Sequence, residues 1–101
     1  MKMDELRARL HRKKHDGWFV YLLECRDGSY YCGITNNLDR RINEHNSGTG
    51  AKYTRGRYPV ELLCAITCQS RGEALSVEAA VKKQQKAKKI EFLKSKGFVV
   101  K

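Results

Sequence analysis

Two tyrosines, Tyr21 and Tyr31, stand ten residues apart, and Arg41, His45 and Glu78 follow them along the chain. Gathered around one small sheet, these side chains offer a fixed cation, a carboxylate able to hold a metal, and groups able to accept a proton from water. Hydrolysis of a phosphate diester requires those three parts, because the diester's own negative charge repels a nucleophile. Taken singly, each residue also has a plainer role. Tyrosines in strands often only pack, and a histidine in a last helical turn is favoured by the dipole. Arg41 and His45 are four apart, so on a helix they share a face. Leu38 and Ile42 turn that face toward the core, where an arginine needs an anion and a histidine can reach phosphate or the attacking water. Glu78 lies three or four residues from Ala74, Leu75 and Val81, within the apolar stripe of its helix. A buried carboxylate must be compensated, either by a salt bridge to Arg41 or by a metal. One carboxylate completed by water and phosphate oxygens suits a single Mg2+ or Mn2+ ion.

The elements that must position these residues follow from local pattern. WFVYLLEC (18–25) and YYCGIT (30–35) are dense in β-formers, and Asp27-Gly28 between them predicts a hairpin. Tyr21 and Tyr31 then share a face if the turn keeps them in register. Gly33, inside the second strand, marks a close approach by another group. Asn36 or Asn37 caps the next helix, which Ser47-Gly48-Thr49-Gly50 ends. A loop carrying Lys52, Tyr53, Arg55 and Arg57 reads as a nucleic-acid backbone contact or as solvated side chains, and leads to a third strand over 60–67. Ser70 and Glu73 form a capping box that starts a helix over about 71–83. A short helix around Ile90, Phe92 and Leu93 follows, with Phe98-Val99-Val100 as an apolar tail. DELRARLHRKKH (4–15) predicts an added N-terminal helix, acids first and bases last. The expected class is α+β in the order β-β-α-β-α-α, with residues 1–16 as a basic extension on a domain over 17–101.

A chain of 101 residues carries one domain. Its 21 Lys and Arg against 11 Asp and Glu, net +10, favour polyanionic partners, nucleic acid before anionic membrane. Neither a membrane-spanning apolar run nor an export signal is evident, so a cytoplasmic location is expected, with no obligate protein partner. Cys25, Cys32, Cys64 and Cys68 are expected to be reduced, mostly buried thiols; zinc binding and redox chemistry are the alternatives. Residues 82–101 hold eight lysines against one glutamate. Lys82, Lys83 and Lys86 there, like Arg40 on the first helix, read as phosphate contacts or as a solvated face.

The strings WFVYLLEC, DGSYYCGITNNLDRRINEH and GAKYTRGRYPVELL together resemble the GIY-YIG nuclease family, in its compact single-domain bacterial YhbQ-like branch. The two tripeptides that name the family look to be Phe19-Val20-Tyr21 and Tyr31-Cys32-Gly33. The resemblance covers about residues 17–93. It implies a three-stranded antiparallel sheet flanked by helices. It also implies a catalytic set of Tyr21, Tyr31, Arg41, His45 and Glu78, with Glu78 binding the divalent metal. Phe19 replaces the family's first glycine, and Lys82–Lys89 contains no counterpart of the asparagine that many members carry beyond the glutamate. The expected activity is metal-dependent hydrolysis of DNA, tolerant of substrate structure and linked to repair or recombination. The alternatives are a binding module with little catalysis and an RNA-directed nuclease, since phosphate contacts do not report the sugar.

Overall fold

A run of apolar residues without alternation signals a strand covered on both sides, and β1 (Trp18–Glu24) is buried throughout except at its half-buried ends. It lies between β2 (Tyr30–Thr35) and β3 (Glu61–Cys68), antiparallel to both. The structure, a computed structural model, describes residues 17–101. The helix expected over 4–15, and with it the extension over 1–16, lies outside the described residues.

Among the described residues the sheet has four strands, not three. Its order is β2-β1-β3-β4, and β4 (Phe98–Val99) pairs antiparallel with β3. Thus the apolar tail expected at the C-terminus is an edge strand, continued by hydrogen bonds from Val100 N to Ala65 O and from Ala65 N to Lys101 O, both 2.9 Å. Gly97 makes the pairing possible: a Cβ at this position would lie 2.8 Å from the Thr67 carbonyl oxygen. Two residues are too few to show a period of two, so the strand has no signature of its own.

Among the described residues, one helix packs on one face of the sheet and two on the other. On the first face α1 (Leu38–Asn46) sets Leu38 and Ile42 against Phe19, Tyr21, Leu23 and Ala65. On the second, α2 (Arg71–Lys82) and α3 (Lys89–Lys94) set Ala74, Val81 and Leu93 against Val20, Leu22, Cys64 and Ile66. Because successive strand residues point to opposite faces, β1 supplies both cores alternately. The four cysteines are free and buried. Burial pushes Cys32 up to about 12 and Cys68 up to about 11, so these thiols stay protonated and unreactive at neutral pH.

Local chemistry sets the junctions. Gly28 takes φ +82° in the β1–β2 turn, a conformation that a side chain disfavours. Asp27 accepts from Ser29 N in the same turn at 3.0 Å. Asn37, of the two candidate caps, accepts from Arg40 N at 3.2 Å and starts α1. Ser70 accepts from Glu73 N at 3.1 Å. The Glu73 carboxylate reaches back one residue further than the capping box predicts, accepting from Gln69 N at 3.3 Å.

Candidate active site

Tyr21 lies directly opposite Gly33, and Tyr31 opposite Leu23, so the hairpin keeps both tyrosines on the α1 face. Their ring centroids are 6.3 Å apart. The Tyr21 ring occupies the space that a side chain on residue 33 would need. A Cβ there would meet Tyr21 Oη at 2.5 Å, Tyr21 Cζ at 2.7 Å and Tyr31 Cε2 at 2.9 Å. The close approach expected at Gly33 is therefore made by the two tyrosines themselves.

His45, in the last turn of α1, is fully buried under these rings, with centroids 5.8 Å from Tyr21 and 5.3 Å from Tyr31. Its Nε2 is 2.9 Å from Tyr21 Oη and its Nδ1 is 2.6 Å from Thr54 Oγ1. Both ring nitrogens are thus engaged within the protein. Burial, reinforced by the Arg41 charge and opposed by Glu44, lowers the imidazole pKa to about 4 and leaves it neutral near pH 7. Burial pushes the Tyr21 phenol well above its usual 10, with Tyr31 adding to the rise. The neighbouring Arg41 guanidinium pulls the other way through a hydrogen bond and its charge. Burial also raises the Tyr31 phenol, with the Lys82 and Arg41 charges opposing and Glu78 adding to the rise.

The shift on His45 has a consequence for stability. Its folded pKa of about 4 lies below the usual 6.5, so between those values the unfolded chain binds more protons. The stabilisation from keeping His45 neutral is complete above about pH 6.5 and disappears as pH falls toward 4, a change of roughly 2–3 kcal/mol. Urea midpoints are expected to fall across that window in the wild type and to fall less in His45→Gln.

The anion that Arg41 needs is Glu44, one turn along the same helix, with Arg41 Nη1 donating to Glu44 Oε1 at 2.9 Å. The bridge considered between Arg41 and Glu78 is not the one these residues make, because Glu78 pairs with Lys82 at 3.4 Å. Leu75 is 39 % exposed, so the apolar stripe of α2 runs through Ala74, Val77 and Val81 rather than through Leu75. Glu78 sits at its margin, its side chain only 18 % exposed. Its charge acts on both Tyr31 and Cys32. Those neighbours point to opposite faces of β2, which among the described residues is an edge strand of the sheet.

No three His, Cys, Asp or Glu side chains converge as a metal-binding group among the described residues. A cation held at Glu78 would take one protein carboxylate and complete its shell from water and phosphate oxygens. That donor set fits Mg2+ or Mn2+, which keep several waters, better than zinc, which needs three or four protein ligands.

Some of the basic residues face outward and others are tied down. Arg40, Lys52, Arg55 and Lys83 are exposed, Arg40 standing 3.9 Å from Glu44 and Arg55 donating to the Gly50 carbonyl at 3.4 Å. Lys82 is held by Glu78. Lys86 donates to the Gly28 carbonyl and lies 4.6 Å from the Tyr30 ring centroid, bracing the hairpin turn. Arg57 donates to Asp27 at 2.9 Å and to the Tyr53 carbonyl at 2.6 Å, while its guanidinium lies 4.1 Å from the Tyr53 ring centroid. Tyr53 in turn stacks on Tyr31, centroids 5.8 Å apart at 26°. A chain of packed groups therefore runs from the hairpin tip through the basic loop to Tyr31.

Three participants have no part in the sequence-based set. Glu44 was readable, since three residues separate it from Arg41 on one helix. Thr54 and Gly50 lie in a loop without periodicity, and only the folded chain brings them against His45.

The model of the GIY-YIG catalytic domain matches residues 17–91, which include Tyr21, Tyr31, Arg41, His45 and Glu78. A UPF0213 protein of Nitratidesulfovibrio vulgaris is 48 % identical over 85 residues, covering 84 % of this chain and 77 % of that one. A UPF0213 protein of Streptococcus pneumoniae is 53 % identical over 75 residues, 74 % of this chain and 76 % of the relative. The solution NMR structure of a protein from E. faecalis is 44 % identical with a TM-score of 0.55, covering 78 % of this chain and 84 % of that one. Catalytic-domain match, relatives and fold agree, and the chain belongs to the GIY-YIG family of nucleases.

Proposed function

We propose that this protein is an endonuclease that hydrolyses phosphodiester bonds in DNA, using one Mg2+ or Mn2+ ion held by Glu78. The observation that carries the reading is the meeting of Tyr21, Tyr31, His45 and Arg41 in one packed cluster, with Glu78 close enough for its charge to bear on Tyr31. When bound, the metal supplies Lewis acidity at the scissile phosphate.

The chain's own residues divide the rest of the work. Arg41, with a third of its side chain exposed, exchanges its bond to Glu44 for a non-bridging phosphate oxygen and fixes the phosphate. A tyrosine with a raised pKa is a poor base unless its proton has somewhere to go. Tyr21 has such a path, because its hydroxyl already touches the neutral His45 ring. As water loses a proton to Tyr21 Oη, the phenol proton moves to His45, and neither group needs to ionise beforehand. Tyr31, stacked against Tyr53, borders the same cluster and orients the attacking water or the phosphate. Exposed Arg40, Lys52, Arg55 and Lys83 bind the flanking backbone without reading bases, which suits a nuclease tolerant of substrate structure and employed in repair or recombination.

A second reading, a binding module with little catalysis, draws on the pairing of both key charges inside the protein, Arg41 with Glu44 and Glu78 with Lys82. Supercoiled plasmid, branched DNA and RNA incubated with and without Mg2+ or Mn2+ separate the readings. Cleavage of the DNA substrates only with metal is the expected result. Salt-sensitive binding of all three with no product in any reaction favours the binding module, and preferential loss of RNA makes RNA the substrate.

A further inference from the structure

The His45 ring has two nitrogens, and its use as a proton acceptor depends on which one carries the hydrogen. Thr54 decides this. Its hydroxyl is buried and has a single proton, which it donates to the Ala51 carbonyl at 2.9 Å. Toward His45 Nδ1, at 2.6 Å, the same oxygen can then only accept, so Nδ1 carries the hydrogen. A neutral ring with its proton on Nδ1 presents a lone pair at Nε2, the atom 2.9 Å from Tyr21 Oη. The Tyr21 hydroxyl is therefore the donor of that bond.

The loop around Thr54 favours this arrangement. The 3₁₀ turn Lys52–Thr54 points the Ala51 carbonyl back at the Thr54 hydroxyl. Gly50 lets the chain pass against the ring, where a Cβ would lie 2.5 Å from His45 Nδ1 and 2.8 Å from its Cα. Without a side chain at residue 50, no competing polar group reaches Nδ1 from that position, and Thr54 is its partner.

We propose that Thr54 is a positioning residue that holds His45 in the Nδ1–H tautomer, so that Nε2 can receive the Tyr21 proton. This rests on the nuclease reading only for its use in catalysis; the tautomer itself follows from the hydrogen-bond geometry. The proton balance is simple: Tyr21 Oη–H breaks, His45 Nε2–H forms, and the transient imidazolium keeps its bond from Nδ1 to Thr54. In the same step Tyr21 Oη takes the proton of the attacking water, so the phenol is not ionised beforehand.

Nitrogen-15 NMR of the imidazole tests the tautomer without any substrate. In the wild type, His45 is expected to show a protonated Nδ1 and an unprotonated Nε2 at pH 7. Thr54→Val, similar in size but without the hydroxyl, is expected to lose that preference, and Thr54→Ser to restore it. In plasmid cleavage, kcat is expected to fall about 10²-fold in Thr54→Val with KM within twofold, and to recover most of its value in Thr54→Ser. A wild-type ring protonated on Nε2, or a Thr54→Val protein with an unchanged tautomer, overturns the proposal. If the wild type cuts nothing while the tautomer shifts as described, the nuclease reading fails and the assignment of Thr54 stands.

Discussion

Glu78→Gln is expected to reduce plasmid cleavage by about 10³-fold in the presence of Mg2+ while leaving the fold intact. Each tenfold in rate corresponds to about 1.4 kcal/mol, and loss of a metal's sole protein carboxylate removes several kcal/mol of charge stabilisation from the transition state. The same change does little to stability. Among the described residues Glu78 pairs with Lys82, whose side chain is 53 % exposed, and an i,i+4 pair of that kind contributes about 0.5 kcal/mol or less. Arg41→Ala is expected to cost about 10²- to 10³-fold, the usual effect of deleting one preorganised donor to a developing charge. Initial rates over a range of Mg2+ concentrations distinguish the two variants. Added metal partly rescues Glu78→Gln, through weaker binding at the amide, and leaves Arg41→Ala unchanged. Rates within threefold of wild type in both variants would remove the proposed site.

Gly33→Ala is expected to destabilise the protein and to disturb the site together. In an ordinary strand, replacing glycine by alanine gains about 0.5–1 kcal/mol through a smaller loss of backbone entropy. Here the new Cβ would stand under 3 Å from both tyrosine rings. Tyr21, 1 % exposed and held at its hydroxyl by His45, has no room to withdraw. Overpacking of this kind costs about 1–3 kcal/mol, which exceeds the entropic gain and decides the sign. A loss of this size lowers Tm by several degrees in a domain of this length. The displacement also separates Tyr21 from His45, so cleavage is expected to fall further than stability. Gly72→Ala serves as the contrast. A Cβ there meets only Ser70 Oγ at 4.0 Å, in the first turn of α2, so it gains helix propensity at no steric cost. Thermal melts moving in the same direction for both variants would show that the crowding at Gly33 is relieved by some other motion.

Much of this molecule was legible along the chain. The hairpin was readable because β-branched and aromatic runs flank Asp27-Gly28, and α1 because Asn37 caps a segment with Leu38 and Ile42 on one face. Parity allowed Tyr21 and Tyr31 to meet, and the four-residue step from Arg41 to His45 put both on one side of a helix. The fourth strand was not legible, because two residues carry no periodicity and Gly97 reveals its use only beside Thr67. A bridge between Arg41 and Glu78, one of the two alternatives that the sequence left open for Glu78, does not form. Each found a partner one helical turn away, and such local pairs form without the entropic penalty of bringing two elements together.

The sequence by itself determined the inventory and the local frame: which side chains could handle phosphate and protons, which strand or helix carries each, and the family to which they point. Those follow from short-range steric and hydrogen-bonding preferences that act within a few residues. Only the tertiary structure decided the register that sets Tyr21 over Gly33, the burial that keeps His45 neutral, and the loop closure that brings Thr54 to its Nδ1. These depend on how two cores pack on one sheet, and no spacing along the chain encodes which irregular loop will end against a given imidazole.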